Sequence, residues 1–126
     1  MSAVKIQYIG LPTDNYEVKL NLQLQGLFRN LNGKRVQIYT SSRVPYQKAA
    51  KKVLEKLKEE NYSVGLLINS GLDKPLNGDG PIRFYQICTE LLREQRECNI
   101  ILVTDEETVK NIKEGFFNMN GATLKG

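Results

Sequence analysis

The residues best suited to chemistry stand just before a predicted helix that begins at Pro45, in the run Thr40-Ser41-Ser42-Arg43. Hydroxyl groups and a guanidinium beside a helix N-terminus are suited to bind a phosphate or a carboxylate. A second interpretation is that the hydroxyl groups only cap the helix and that Arg43 is solvated. The sequence leaves both interpretations open.

Polar residues also follow two later strands of the pattern, at Asn69-Ser70 and at Thr104-Asp105. Ligands of an open parallel sheet bind beyond the carboxyl ends of its strands. We therefore expect these side chains to converge with the run that follows the second strand. The candidate ligand-binding residues are Thr40, Ser41, Ser42, Arg43, Asn69, Ser70, Thr104 and Asp105.

Carboxylates are the other groups with catalytic potential. Asp73 and Asp79 fall in a glycine-rich loop, where they could join Asp105 around a divalent cation. Their spacing matches no calcium-loop motif, and the run 77–80 is typical of a turn, so we predict no metal site. An enzyme would have to use these aspartates as acid, base or metal ligand. We predict no catalytic residue and favour a protein that is not an enzyme.

Several common chemistries are excluded by what the chain lacks. It has no histidine, which excludes Ser-His and Cys-His nucleophile pairs and His-containing zinc sites. Its two cysteines, Cys88 and Cys98, supply neither a complete zinc site nor a disulfide framework. Neither G-x-G-x-x-G nor the Walker motif occurs. We therefore predict no zinc and no cofactor.

Length and composition predict one globular domain over residues 1–126, with 40% hydrophobic and 25% charged residues. The net charge is +4, but the lysines of 48–58 are interleaved with glutamates, which is typical of a solvated face. We therefore do not expect nucleic acid as a partner. No segment has the pattern of a signal peptide or the ~20 apolar residues of a membrane span. We expect a cytoplasmic protein with reduced cysteines and no membrane contact.

The elements that would position the polar residues alternate between strands and helices. Strands are predicted at 5–9, 36–40, 63–68 and 99–103, with a short fifth strand at 122–124. Helices are predicted at 45–60, from Pro81 onward, and after Asp105, with Thr104 or Asp105 as the cap of the last helix. Apolar strands between amphipathic helices indicate a parallel sheet covered on both faces. The fold class is therefore α/β, a single three-layer domain with a mostly parallel sheet of about four to five strands.

The stretch 16–31 fits two patterns, because its apolar residues both alternate and fall on one helical face. The alternating residues are Val18, Leu20, Leu22 and Leu24. The helical face consists of Tyr16, Leu20, Leu24, Leu27, Phe28 and Leu31. We predict a helix, capped at its start by Thr13 or Asp14 and ended by Gly33 in the left-handed conformation.

The later helices have one clear apolar face each. For the helix over 45–60 the inward residues are Ala49, Ala50, Val53, Leu54 and Leu57. For the next two helices they are Phe84, Ile87, Cys88, Leu91 and Leu92, followed by Val109, Ile112, Phe116 and Phe117. The aromatic side chains of Tyr46, Tyr62, Phe84 and Tyr85 are predicted to join the core rather than to stack on a nucleic-acid base.

Residues 54–69, the loop 72–80 and the strand ending at Thr104 together resemble response-regulator receiver domains. The resemblance covers about residues 46–108: a helix and central strand, a loop with Pro and Asp-Gly, and a fourth strand with a terminal hydroxyl residue. It implies a flavodoxin-like fold. It also implies that Thr104 matches the family's switch hydroxyl, and that Lys125 matches its closing lysine if a fifth strand forms.

The departures from that family concern its chemistry. Receivers carry a phosphate-accepting aspartate where this chain has Asn69, and an amide cannot hold an acyl phosphate. Receivers also bind magnesium through an acidic pair after the first strand, and here no acid precedes Asp14. The resemblance therefore implies a pseudo-receiver without phosphotransfer.

Two functions follow as expectations. The first is a non-catalytic receiver-like domain that regulates or binds another protein. The alternative is a domain that binds a small ligand, such as a phosphorylated metabolite or a nucleotide, at the carboxyl edge of the sheet. The expected partner is therefore a protein or a small anionic ligand, and homodimerisation stays open.

Overall fold

The computed structural model describes residues 4–69 and 98–120, together with positions 86, 89, 90 and 93 in helical backbone. Strands and helices alternate along the described chain. They are strand β1 (Val4–Leu11), helix α1 (Tyr16–Leu27) with a 3-10 turn (Phe28–Asn30), β2 (Arg35–Ser41), α2 (Val44–Glu59), β3 (Ser63–Asn69), β4 (Cys98–Asp105) and α3 (Glu106–Asn120).

The four strands pair in parallel in the order β1-β4-β2-β3, which confirms the predicted α/β class and the parallel sheet. Helix α2 follows β2 on one face of the sheet and α3 follows β4 on the other, so a switch point lies between these two neighbouring strands. Counted from β2, the order β3-β2-β4 is the 2-1-3 order of a flavodoxin-type sheet, and β1 is added beyond β4.

The strand order bears on how closely receivers can be superimposed on this sheet. In the flavodoxin-type order 2-1-3-4-5 the third and fourth strands are neighbours. Here β2 lies between β3 and β4, so Asn69 and Thr104 end strands that do not pair with each other. The described sheet is of the flavodoxin type, and its correspondence with receivers stays a hypothesis.

Helices α1 and α2 cover one face of the sheet, because every second strand residue joins their apolar faces in one cluster. The predicted inward residues of α2 are confirmed: four are buried, and Leu54 packs partly buried against the cluster. Each fully buried Val, Leu or Ile side chain contributes about 1.5–3 kcal/mol. The cluster contains Ile9, Leu11, Leu20, Leu27, Val36, Ile38, Tyr46, Ala49, Ala50, Val53, Leu57, Ile101 and Val103.

Helix α3 covers β1 and β4 on the opposite face, where its predicted inward residues Val109 and Ile112 are buried. The glycine at position 10 permits this contact, since a Cβ there would lie 3.2 Å from the Cα of Glu106. Close packing of α3 on β1 therefore depends on the absence of a side chain at Gly10.

Strands β4 and β3 differ in how deeply they are buried. The first seven residues of β4 are all buried, which confirms for this strand the prediction that the sheet is covered on both faces. Strand β3 was predicted to be buried as well, but Leu67 is 40% exposed and Ile68 is 44% exposed. The prediction for β3 is wrong because β3 is the last of the described strands in the order, and apolar composition alone does not distinguish a central strand from an outer one.

The helix prediction for 16–31 is confirmed up to Asn30, but both of its predicted ends are wrong. The N-cap is Asn15 with φ of 56°, and no side chain caps α1. Gly33 does adopt a left-handed φ of 71°, yet it lies in the turn before β2, because Leu31 is already extended. Because the stretch is a helix, the alternating apolar residues do not share one face: Leu20 is buried in the core, whereas Leu22 is exposed.

Asn99 fastens the turn between the 3-10 turn and β2 to the central strand. Its Oδ1 accepts a hydrogen bond of 2.8 Å from the backbone N–H of Asn32. Its Nδ2 donates to the carbonyl oxygens of Asn32 at 2.8 Å and of Arg35 at 3.0 Å. The side chain is fully buried, so these three bonds satisfy a polar group in the core.

Several predictions fall on residues outside the described part of the chain. They are the helix faces at Phe84, Tyr85, Ile87, Cys88, Leu91 and Leu92, the fifth strand at 122–124, and the polar residues Ser70, Asp73, Asp79 and Lys125.

Candidate site at the carboxyl edge of the sheet

Parallel pairing brings the ends of three strands to one edge, as the sequence predicts. Ser41 of β2 pairs in register with Asn69 of β3, and Thr40 pairs with Val103 of β4. The residues after β2 and β4 also meet, since Arg43 and Asp105 form an ion pair. The described candidates therefore lie at one edge, and the question becomes what their polar groups contact.

The hydroxyl groups at this edge face the interior of the protein. Thr40 Oγ1 donates a hydrogen bond of 2.7 Å to the carbonyl oxygen of Val103. Thr104 Oγ1 donates to Ser41 Oγ at 3.4 Å. Thr40, Ser41 and Thr104 have an exposed fraction of 0%. These hydroxyls join β2 to β4 and are closed to solvent.

Asp105 caps α3, as one of the two predicted alternatives had it. Its Oδ1 accepts a hydrogen bond of 2.7 Å from the backbone N–H of Thr108, and its Oδ2 accepts one of 2.7 Å from the Thr108 hydroxyl. A carboxylate at this position also interacts favourably with the positive end of the helix dipole. Both carboxylate oxygens therefore have protein partners.

Arg43 extends from the start of α2 across the same edge. Its Nη1 lies 3.4 Å from Asp105 Oδ2, and its guanidinium carbon lies 4.9 Å from the ring centroid of Tyr46. The Arg43 side chain is 46% exposed and that of Asp105 is 17% exposed. The arginine thus approaches solvent, but an adjacent negative charge reduces its attraction for a free anion.

The capping interpretation of the Thr40–Arg43 run is wrong for α2. The N-cap of α2 is Arg43, and no side chain caps the helix. Instead, the carbonyl oxygen of Arg43 accepts from the backbone N–H groups of Tyr46 and Gln47, at 3.1 Å each. The Gln47 side-chain amide donates to the carbonyl oxygen of Ser42 at 2.6 Å, and Ser42 is exposed. Thr40 and Ser41 do not occupy capping positions, because β2 continues through Ser41.

The aromatic core residue Tyr46 carries a polar group that the sequence reasoning missed. Its side chain is fully buried, as predicted, but its hydroxyl oxygen has no hydrogen-bond partner among the residues that the structure describes. Buried tyrosine hydroxyls usually find a partner. No sequence signal announces this state, since it depends on which groups surround the end of the ring.

A surface groove of about 430 Å³ lies at the β1 edge, away from the predicted candidates. Its walls come from α1 and α3, and its floor includes Tyr8 and Gly10 of β1. Sequence reasoning missed it because nothing in the pattern places β1 at the rim of the sheet. The lining residues are Tyr8, Gly10, Lys19, Gln23, Glu106, Val109, Lys110, Lys113 and Glu114.

The remaining reactive group of the described chain is the thiol of Cys98, which is free and buried. Burial raises the pKa of this thiol from its ordinary value of 9.0, while the positive charge of Arg35 opposes the rise. The residues that the structure describes contain no group of three or more His, Cys, Asp or Glu side chains able to hold a metal ion. Within the same residues, no helix has the length and apolar content that crossing a membrane requires.

Comparison of the chain with protein-family models, with curated proteins and with solved structures finds no match.

Proposed function

We propose that this chain is a non-catalytic α/β domain that acts by binding another protein, as a receiver-like regulatory domain without a phosphoacceptor aspartate would. One observation carries the proposal. The hydroxyls of Thr40, Ser41 and Thr104, at the switch point where such sheets hold their ligands, are fully buried and directed into the protein.

The carboxylate at the same edge supports the proposal. Asp105 uses both oxygens to cap α3 and also pairs with Arg43. An acid, base or metal-ligand role that used the lone pairs bonded to Thr108 would require Asp105 to release Thr108 and uncap the first turn of α3. A capping side chain typically contributes about 1 kcal/mol, so that release would cost stability.

The alternative function is the binding of a small anionic ligand at Arg43. One observation favours it: the guanidinium stands at the first turn of α2 and is nearly half exposed. A phosphate there would have to compete with Asp105 for the same charge.

A thermal-shift experiment separates the two functions. A ligand at about ten times its Kd would stabilise the fold by about 1.4 kcal/mol and raise Tm by roughly 4–8 °C. We expect nucleotides, sugar phosphates and inorganic phosphate to leave Tm unchanged. A shift that Arg43→Ala removes, and that the matched control Lys48→Ala retains, would establish the alternative.

A second experiment tests phosphotransfer. The full chain is incubated with acetyl phosphate and Mg²⁺, and its intact mass is measured. We expect no acid-stable, hydroxylamine-sensitive adduct. Such an adduct on any aspartate would contradict the proposed function.

The proposal also requires a macromolecular partner. The tagged full chain is used to purify proteins from its own source cells, with Arg43→Ala as a matched bait. We expect a stoichiometric protein partner that both baits retain, because the carboxyl edge is not the contact surface. Absence of any such partner, combined with a ligand-induced Tm shift, would overturn the proposal.

A further inference from the structure

We propose that Asn32, in the turn before β2, is a site of spontaneous modification that converts to aspartate and isoaspartate through attack by Gly33. We propose also that the buried side chain of Asn99 slows this conversion by holding the Asn32 backbone. The turn precedes β2, so it lies at the opposite edge of the sheet from the candidate site. The inference is therefore independent of the proposed function.

The first support is the pair of residues itself. Asn32 is exposed and is followed by a glycine. The backbone nitrogen of the next residue can attack the side-chain carbonyl carbon of an asparagine, and glycine obstructs this attack least because it has no side chain. Asn30 provides a contrast in the same turn, since it is exposed but precedes the branched side chain of Leu31. Exposure and a following glycine coincide at Asn32.

The conversion needs water as its only co-reactant. The Gly33 nitrogen loses its proton to water and forms a bond to Cγ of Asn32, while the Cγ–Nδ2 bond breaks and Nδ2 leaves as ammonia. Water then adds to one of the two carbonyl carbons of the resulting five-membered succinimide. Opening at one carbonyl gives aspartate, and opening at the other gives isoaspartate, whose main chain runs through the side-chain carbon atoms.

The second support is that the reacting groups are not engaged elsewhere. Among the described residues, neither the side chain of Asn32 nor the backbone N–H of Gly33 takes part in a hydrogen bond. Gly33 has a φ of 71°, which a glycine adopts without strain. No interaction of the described fold has to break to release the attacking nitrogen or the leaving amide.

The third support is the restraint that Asn99 places on the backbone of Asn32. Asn99 Oδ1 accepts from the Asn32 N–H, and Asn99 Nδ2 donates to the Asn32 carbonyl oxygen, at 2.8 Å each. The succinimide ring fixes ψ of Asn32 outside the regions that L residues ordinarily adopt, so the carbonyl must rotate before the ring can close. A carbonyl bonded to a fully buried amide resists that rotation.

The same two bonds distinguish the products. Aspartate leaves the main chain unchanged, so Asn99 can hold it as it holds Asn32. Isoaspartate adds one carbon atom to the main chain between the N–H and the next carbonyl, and a single side-chain amide can no longer reach both groups in the present geometry. The isoaspartyl form should therefore melt at a lower temperature than Asn32→Asp, which supplies the aspartyl form directly.

The test compares four samples at mildly alkaline pH and below the melting temperature of each protein. They are the full chain, its Asn99→Ala variant, its Thr40→Val variant and a synthetic peptide of residues 29–35. Thr40→Val is the matched control, because it removes a buried hydrogen bond that lies away from the turn. Proteolysis and mass spectrometry with electron-transfer fragmentation measure the acid formed at Asn32 and distinguish its two forms.

We expect the parent chain to convert at least about tenfold more slowly than the peptide, since two hydrogen bonds that each contribute a factor of about two to ten restrain Asn32. We expect folded Asn99→Ala to recover most of this difference and Thr40→Val to keep the parent rate. Asn30 should convert much more slowly than Asn32 in every sample. Circular dichroism establishes that each variant is folded during the incubation.

The inference would be overturned if Asn32 converted as fast in the parent as in the peptide, or if folded Asn99→Ala were no faster than the parent. Equal acceleration in Thr40→Val would also overturn it, because general loss of stability would then explain the rate. Should Asn99→Ala not fold, the comparison of parent with peptide and the melting temperatures of the two products decide, and an isoaspartyl form as stable as Asn32→Asp would refute the restraint. A ligand-induced Tm shift would remove the proposed function and leave this inference unaffected.

Discussion

Replacing the buried Asn99 by aspartate tests whether its amide holds the turn before β2 to the central strand. The change preserves shape and removes both donated hydrogen bonds, which are 2.8 and 3.0 Å long. It also places a carboxylate against two carbonyl oxygens at a fully buried position. The Asn99→Asp variant therefore loses bonds and gains a repulsive contact.

The magnitude follows from the contacts. Three hydrogen bonds at about 0.5–1.5 kcal/mol each give roughly 1.5–4.5 kcal/mol for their removal in Asn99→Ala. The exposed Asn32 can rebind water, so we expect about 2 kcal/mol for that variant. An uncompensated buried carboxylate typically costs about 3–5 kcal/mol. We therefore expect Asn99→Asp to lower the free energy of unfolding by about 3–5 kcal/mol at pH 7.

The pH dependence separates charge from packing. Burial raises the pKa of the introduced carboxyl above its unfolded value of about 3.9, so the folded state holds the proton more tightly. The deficit of the variant relative to the parent is then smallest near or below pH 4 and grows as the pH rises through the folded-state pKa. Asn99→Ala should show a deficit that does not change with pH.

Urea unfolding followed by circular dichroism at pH 4.5 and 7 measures these differences. Asn111→Asp, an exposed position on α3, is the matched control and should change the free energy of unfolding by less than about 0.5 kcal/mol. If Asn99→Asp were as stable as Asn111→Asp at pH 7, or if its deficit were the same at both pH values, the role assigned to Asn99 would be refuted.

Three further predictions concern buried groups. Tyr46→Phe removes an unpaired hydroxyl and should raise the free energy of unfolding by about 1 kcal/mol. Thr40→Val removes a hydrogen-bonded hydroxyl and should lower the free energy of unfolding by about as much. A loss of stability in Tyr46→Phe would contradict this prediction. Gly10→Ala should lower the melting temperature, since its Cβ meets the α3 backbone and overpacking costs about 1–3 kcal/mol; an unchanged Tm would refute the close contact. The Cys98 thiol is buried, so it should react with a disulfide reagent only as fast as the protein unfolds. Because burial raises its pKa, its contribution to stability should be complete below pH 9.0 and decline above that pH. The difference between the alkaline unfolding curves of the parent chain and of Cys98→Ala measures this decline.

Much of the fold was accessible from periodicity. The continuous apolar run of β4 predicted a strand buried on both faces, and the apolar face of α2 predicted its contacts with the sheet. The strand order could not be predicted from the sequence, because β3 and β4 have similar compositions and only tertiary pairing decides which one is central. Ile68 of β3, the last of the described strands in the order, is 44% exposed.

The sequence predicted where the candidate residues lie in the fold, but not the direction of their side chains. The rule that parallel strands end at one edge located Thr40, Ser41, Thr104 and Asp105 correctly at that edge. Whether a hydroxyl faces solvent or a neighbouring carbonyl depends on register, and the Thr40–Val103 register turns this one inward. Chain-local rules did succeed where the chemistry is local, as in the Asp105 cap of α3.

The pairing of β1 with β4 has a consequence for how the chain acquires its structure. Val4 pairs with Cys98 and Leu11 with Asp105, so β1 must wait for a segment synthesised much later. Contacts this distant in sequence slow folding, because the entropy of closing the intervening loop is lost before the contact forms. During translation β2, α2 and β3 can associate through near neighbours, whereas β1 leaves the ribosome without a strand to receive it.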